Sequence, residues 1–188
     1  SVVFDIESIS ASGSNVRGKI DIDDQELTLI ALYDSETDSY LSYTKEELPK
    51  LWPLLERTDL LIGFNSDTFD IPLLNRYYPG DLARIPSLDL LSEVYKALGR
   101  RVRLDSLAQA TLGRGKSGDG LKAVTWWQEG LIDKVRKYCL EDVKLTKELY
   151  DYAREHGLIK YKDFKRSRDL KIDTSAWGKE AASPALTH

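Results

Sequence analysis

Apolar and polar residues alternate from the start of the chain: Val2, Phe4 and Ile6 share one parity, Asp5 and Glu7 the other. That period of two predicts a strand with one apolar face and two carboxylates emerging together on the opposite face. Residues 8–24, rich in Ser, Gly and Asp, read as a loop or irregular hairpin. Alternation resumes over 26–33, and 39–44 is its hairpin partner across 34–38, so three antiparallel strands open the fold. Thr44 and Glu47 have the spacing of a capping box. Leu48, Leu51, Trp52 and Leu55 then give the apolar face of a helix running to Arg57. Residues 59–64 are nearly continuously apolar, as expected of a strand covered on both faces.

From Asp70 a helix is expected, with Pro72 in its first turn and its end near Pro79-Gly80. A strand over 87–91 leads into a helix over 91–98 that Gly99 stops, and Ser106 with Gln109 is placed to open a short helix ended by Gly113. Residues 114–120 read as a flexible basic loop. The last strong element runs from Leu131 to His156, with Gly157 after it. Its apolar stripe passes through Leu131, Val135, Tyr138, Leu145, Leu149 and Tyr152 at helical steps. Asp142 falls on the same stripe, a carboxylate where the pattern asks for an apolar side chain, so an ion or a hydrogen-bond network has to meet it.

Composition narrows the setting. At 188 residues, 41% hydrophobic and 31% charged, the chain suits one domain with a sizeable core, expected over 1–157, followed over 158–188 by a basic C-terminal arm or hairpin that is low in apolar residues at its end. No apolar run is long enough to span a bilayer, and the first apolar segment carries acids rather than a basic flank. A cytoplasmic protein with no membrane partner is therefore expected. The single Cys139 excludes an internal disulfide and reads as a packing residue. The absence of Met suggests a processed start or a piece of a longer protein. A formal charge of −4 argues against nucleic-acid binding by bulk charge, but seven basic residues between Lys96 and Lys122 face only Asp105 and Asp119. A second excess covers Lys160, Lys162, Lys165, Arg166, Arg168 and Lys171 against Asp163 and Asp169. The pair Trp126-Trp127 reads as one buried and one partly exposed ring.

Three segments thus bring acids that ask for partners: Asp5 and Glu7 on a strand, Asp70 closing the run Asn65-Ser66-Asp67-Thr68-Phe69-Asp70, and Asp142 one turn after Tyr138. Two carboxylates held close repel by about 4 kcal/mol at an intermediate dielectric, so four together call for cations. Taken singly, each has an ordinary reading: a solvated strand edge, a helix N-cap, a core tyrosine, a lysine-paired aspartate.

Together, D-x-E on the first strand, N-x-x-x-F-D after a central strand and Y-x-x-x-D on a late helix resemble the three motifs of the DEDD-type 3′–5′ exonucleases, in their tyrosine branch. The resemblance covers residues 2–156. It implies a ribonuclease H-like α/β fold with a mixed five-stranded sheet, its first three strands antiparallel, and helices on both faces. It also implies two magnesium ions, or manganese in their place, held by Asp5, Glu7, Asp70 and Asp142. Tyr138 would orient the attacking hydroxide, and Asn65 and Phe69 would lie against the terminal nucleotide. The implied reaction removes nucleoside 5′-monophosphates from the 3′ end of single-stranded or frayed DNA or RNA. The alternatives are a catalytically silent nucleic-acid-binding domain, or the proofreading or processing domain of a larger replication or repair protein. The histidine branch is disfavoured because His156 and His188 both lie beyond Asp142.

Overall fold

The computed structural model describes residues 1–13, 20–116 and 120–178. The first strand, β1 (Val2–Ser10), lies at the centre of a five-stranded sheet. It pairs antiparallel with β2 (Gln25–Asp34), which pairs antiparallel with β3 (Ser39–Thr44). On its other side β1 runs parallel to β4 (Leu61–Gly63), which runs parallel to β5 (Ser87–Asp89), giving the order β3-β2-β1-β4-β5. The expected mixed sheet is therefore present. Of the loop or irregular hairpin expected over 8–24, the described ends take the hairpin form: β1 continues to Ser10 past a bulge between Glu7 and Ser8 and stays paired with β2. Part of that segment, 14–19, lies outside the described residues.

The parity of β1 divides the molecule. Val2, Phe4 and Ile6 enter a core closed by Leu48, Leu51, Leu54, Leu55, Leu73 and Leu74. Val3 enters the other core, with Leu107, Val135, Cys139, Val143, Leu145 and Leu149. Asp5 and Glu7 share the parity of Val3 and so face the second helical layer. On the first face lie a 3-10 segment (Lys45–Lys50), α1 (Trp52–Glu56) and α2 (Asp70–Asn75). On the second lie α3 (Leu90–Leu98), α4 (Leu104–Leu112), α5 (Gly120–Gln128) and the long α6 (Ile132–His156).

Three local expectations need correcting. The helix expected from Thr44 to Arg57 breaks into a 3-10 turn and a short α-helix because Pro49 and Pro53 remove backbone donors, although Thr44 N still donates to Glu47 Oε2 at 2.9 Å. The helix assigned to Ser106 begins at Leu104, where Arg103 is the N-cap, so Ser106 sits inside it. Helix α5 was not expected. It buries only Ala123 fully and leaves Leu121 68% exposed, which blurs its amphipathic pattern. Trp126 and Trp127 on it are both partly buried against the core rather than split. Of the basic loop, 117–119 lie outside the described residues.

After Gly157 caps α6 in the left-handed conformation, β6 (Leu158–Asp163) and β7 (Arg166–Lys171) form an antiparallel hairpin. Ile159, Leu170, Ile172 and Trp177 fix its base to the second core, and Tyr150 stacks on Trp177 at 5.4 Å. No helix of the described residues is long and apolar enough to cross a membrane.

Candidate metal centre

The centre is assembled by the middle of β1, the loop between β4 and α2, and one face of α6. Asp5 and Glu7 leave β1 on the side where α6 packs, and a carboxylate oxygen from each lies with the Cys139 thiol in a group whose atoms are all within 4.8 Å of one another. Asp70 is the first residue of α2, after Phe69 at the N-cap, and its Oδ1 accepts from Ile6 N at 3.0 Å. A local helix cap would have turned this carboxylate onto its own helix; here it is fastened to the central strand beside Asp5. Asp142 is 3% exposed on the inward face of α6. Its Oδ2 accepts from Lys116 Nζ at 2.5 Å, while its Oδ1 is buried with no hydrogen-bond partner among the described residues.

The electrostatics follow from this crowding. Burial, then repulsion from Asp142, pushes the Asp5 carboxyl up to about 7 despite the nearby Lys116 ammonium. Burial raises Glu7 well above the usual carboxylate range, with Asp5 and Asp142 adding to it, and raises Asp70 the same way with Asp5 adding. Asp142 is raised by burial and held back by Lys116. One lysine is thus set against a group of acids, each held above its ordinary titration range. An oxygen-rich, partly anionic cage with an unpartnered buried oxygen fits hard divalent cations, so the residues present suit such an ion.

Tyr138 lies one turn before Asp142, 4% exposed, with Trp126 edge-on at 6.1 Å and the Lys116 ammonium 5.5 Å from its ring centre. Burial and the Asp142 charge raise its phenol above the ordinary value, so it stays protonated and is a hydrogen-bond donor rather than a base.

Beside the cage opens a cleft of about 400 Å³ lined by Asp5, Asn65, Arg101, Arg103, Lys116 and Tyr138, among others. Asn65 has a left-handed backbone (φ 62°), and its Oδ1 accepts from Arg101 at 2.7 Å and from Thr68 Oγ1 at 2.9 Å. The loop carrying it is strapped by Asp89, a buried carboxylate at the end of β5 that accepts from Asn65 N at 2.8 Å, Asp67 N at 3.2 Å and Leu91 N at 2.9 Å. Phe69 is partly buried against the first core and does not line this cleft; Phe64 does. The structure therefore brings Asp5, Glu7, Asp70, Tyr138 and Asp142 together, sets Asn65 at the cleft and turns Phe69 elsewhere.

Three participants were not assigned this place by sequence. Lys116 was legible only as one cation of a basic loop. Cys139 does pack, at 0% exposure, but its thiol also donates to the Asp5 carbonyl at 3.3 Å. Asp89 carried no signal beyond an acid before a helix.

Comparisons with known proteins agree with this architecture. A family model described as the RNase_H superfamily matches residues 2–154. The chain belongs to that superfamily. Over 154 residues it is 28% identical to DNA polymerase 1 of Aeropyrum pernix, an alignment covering 68% of this chain and 15% of that protein. Its fold resembles that of the family B DNA polymerase of the hyperthermophilic archaeon Pyrobaculum calidifontis, with a TM-score of 0.62 at 19% identity over 81% of this chain and 24% of that one. The chain thus spans less than a quarter of the length of either polymerase.

Proposed function

We propose that the chain is a metal-dependent 3′–5′ exonuclease of the tyrosine branch, acting on single-stranded nucleic acid ends. The observation that carries this reading is the convergence of four carboxylates and Tyr138 beside one cleft, with Asp142 Oδ1 unpartnered among the described residues in a fold of the RNase_H superfamily. Kinship with a polymerase agrees with a proofreading or processing role within a larger protein.

In this reading Asp5, Glu7, Asp70 and Asp142 would hold two divalent ions, which when bound would lower the pKa of water and offset charge on the phosphate and the departing oxygen. The protein's own groups do the rest. Tyr138 donates its hydroxyl hydrogen to orient the attacking oxygen, and Trp126 fixes its ring. Arg101 and Arg103 meet backbone phosphates in the cleft, and Asn65, held by Arg101 and Thr68, meets the terminal nucleotide. Water oxygen bonds to phosphorus, the bond from phosphorus to the preceding 3′ oxygen breaks, and a nucleoside 5′-monophosphate leaves a new 3′ hydroxyl.

A 5′-labelled single-stranded oligonucleotide in magnesium tests the polarity. Stepwise shortening that a 3′-terminal block prevents is expected; shortening indifferent to the block, or none, would refute the reading.

A further inference from the structure

The β6–β7 hairpin has features that the cleft does not use. Phe164, at its tip, is 99% exposed and has a left-handed backbone (φ 54°), a conformation that favours glycine or asparagine. Around it stand Lys160, Lys162, Lys165 and Arg166, none of which forms an ion pair among the described residues, whereas Arg168 pairs with Asp163 at 2.8 Å. The hairpin is not a loose projection. Its base is in the second core, and the backbone of Lys160 both donates to Thr111 Oγ1 on α4, at 2.9 Å, and accepts from it, at 3.0 Å.

The hairpin is also joined to the cleft by consecutive residues. Arg100 lies over the Tyr161 ring of β6 at 5.6 Å, while the next residue, Arg101, bonds Asn65 and lines the cleft with Arg103. Positive charge therefore runs from the cleft through Arg100 to the hairpin, and ends at an aromatic ring with both faces open. Unpaired cations that track a phosphate backbone, together with an aromatic platform for a base, are the two elements of single-strand binding.

We propose that this hairpin is a second nucleic-acid contact, with phosphates on Arg100, Lys162, Lys165 and Arg166 and a base stacked on Phe164. The strand would reach it on the 5′ side of the end seated in the cleft; that direction, though not the contact itself, rests on the exonuclease reading above.

The test is fluorescence anisotropy of the full chain in EDTA, where no turnover competes, using single strands of about 4 and about 16 nucleotides. Phe164→Ala should bind the longer strand about tenfold more weakly, leave the shorter one unchanged and melt like the wild type, and Phe164→Trp should restore binding. Neutralising Lys162 and Arg166 together should lower the salt slope for the longer strand by about 1–2. Unaltered affinity of Phe164→Ala for the longer strand, or equal losses at both lengths, would overturn the proposal and point to a protein partner or an indirect effect. The two readings fail separately. Hairpin-dependent binding without nucleotide release sinks the nuclease assignment alone, and release with hairpin-independent binding sinks this one.

Discussion

Asp142 keeps one oxygen on Lys116 and the other on no group among the described residues, and the proposed chemistry follows from that asymmetry. The carboxylate was legible in the sequence because it interrupts an apolar helical stripe. Lys116 was not, because it reaches the cage from a loop whose path no periodicity dictates. The crowding also sets a pH dependence. Asp5 titrates near 7 in the folded chain against an ordinary 3.8, so between those values the folded state binds more protons than the unfolded one. Stability of the metal-free protein should therefore fall as pH rises from about 4 to about 7, and melting curves in EDTA across that range check it. Added magnesium should raise the melting temperature more at pH 8 than at pH 5, since ionised carboxylates bind it; an equal shift would contradict the cage. Tyr138→Phe keeps the ring that Trp126 packs against and removes only the hydroxyl. It should melt like the wild type while lowering kcat by about 10²-fold, the scale for loss of one positioned donor, with KM little changed.

At the scale of elements, the acids reach one point because strand ends and helix starts are fixed by a few polar ties. Asp89 is the clearest: one carboxylate takes four backbone N–H groups, two from the loop carrying Asn65 and two from the first turn of α3. Asp89→Ala leaves those donors without it and should cost about 1–3 kcal/mol in urea unfolding, with KM for oligonucleotide raised because Asn65 is released. Gly63 ends β4 where the chain turns back so tightly that an added Cβ would stand 2.4 Å from Ser66 Cβ. Gly63→Ala should lower the melting temperature, and Ser66→Gly in the same chain should recover much of the loss. Long periodic elements such as α6 and β2–β3 were readable from sequence because burial imposes the period. The 44–57 segment and α5 were misread or missed for local reasons, two prolines in one and a nearly patternless surface in the other. Asp70 was readable only as a candidate, since its tie to Ile6 depends on the β4–α2 loop folding back onto β1.

For the whole molecule, the two-faced sheet reconciles a formal charge of −4 with the proposed polyanionic substrate. The acids are gathered at one cage, while the basic groups run from Arg103 through Arg100 to the hairpin. The fold class was legible because the three spaced acid motifs carry a family resemblance that implies it, and the strand and helix periods along the chain trace the same outline. The hairpin's placement was not legible, since its contact with α4 links segments far apart in sequence and its own apolar pattern is short. Asp5, at the middle of β1, is the residue proposed to hold the cations on which hydrolysis would depend. Nucleoside 5′-monophosphate release from a single-stranded oligonucleotide in magnesium, compared between wild type and Asp5→Ala, tests it directly. Loss of several kcal/mol of charge stabilisation predicts a fall of about a thousandfold with the fold retained; release by Asp5→Ala at the wild-type rate would contradict it.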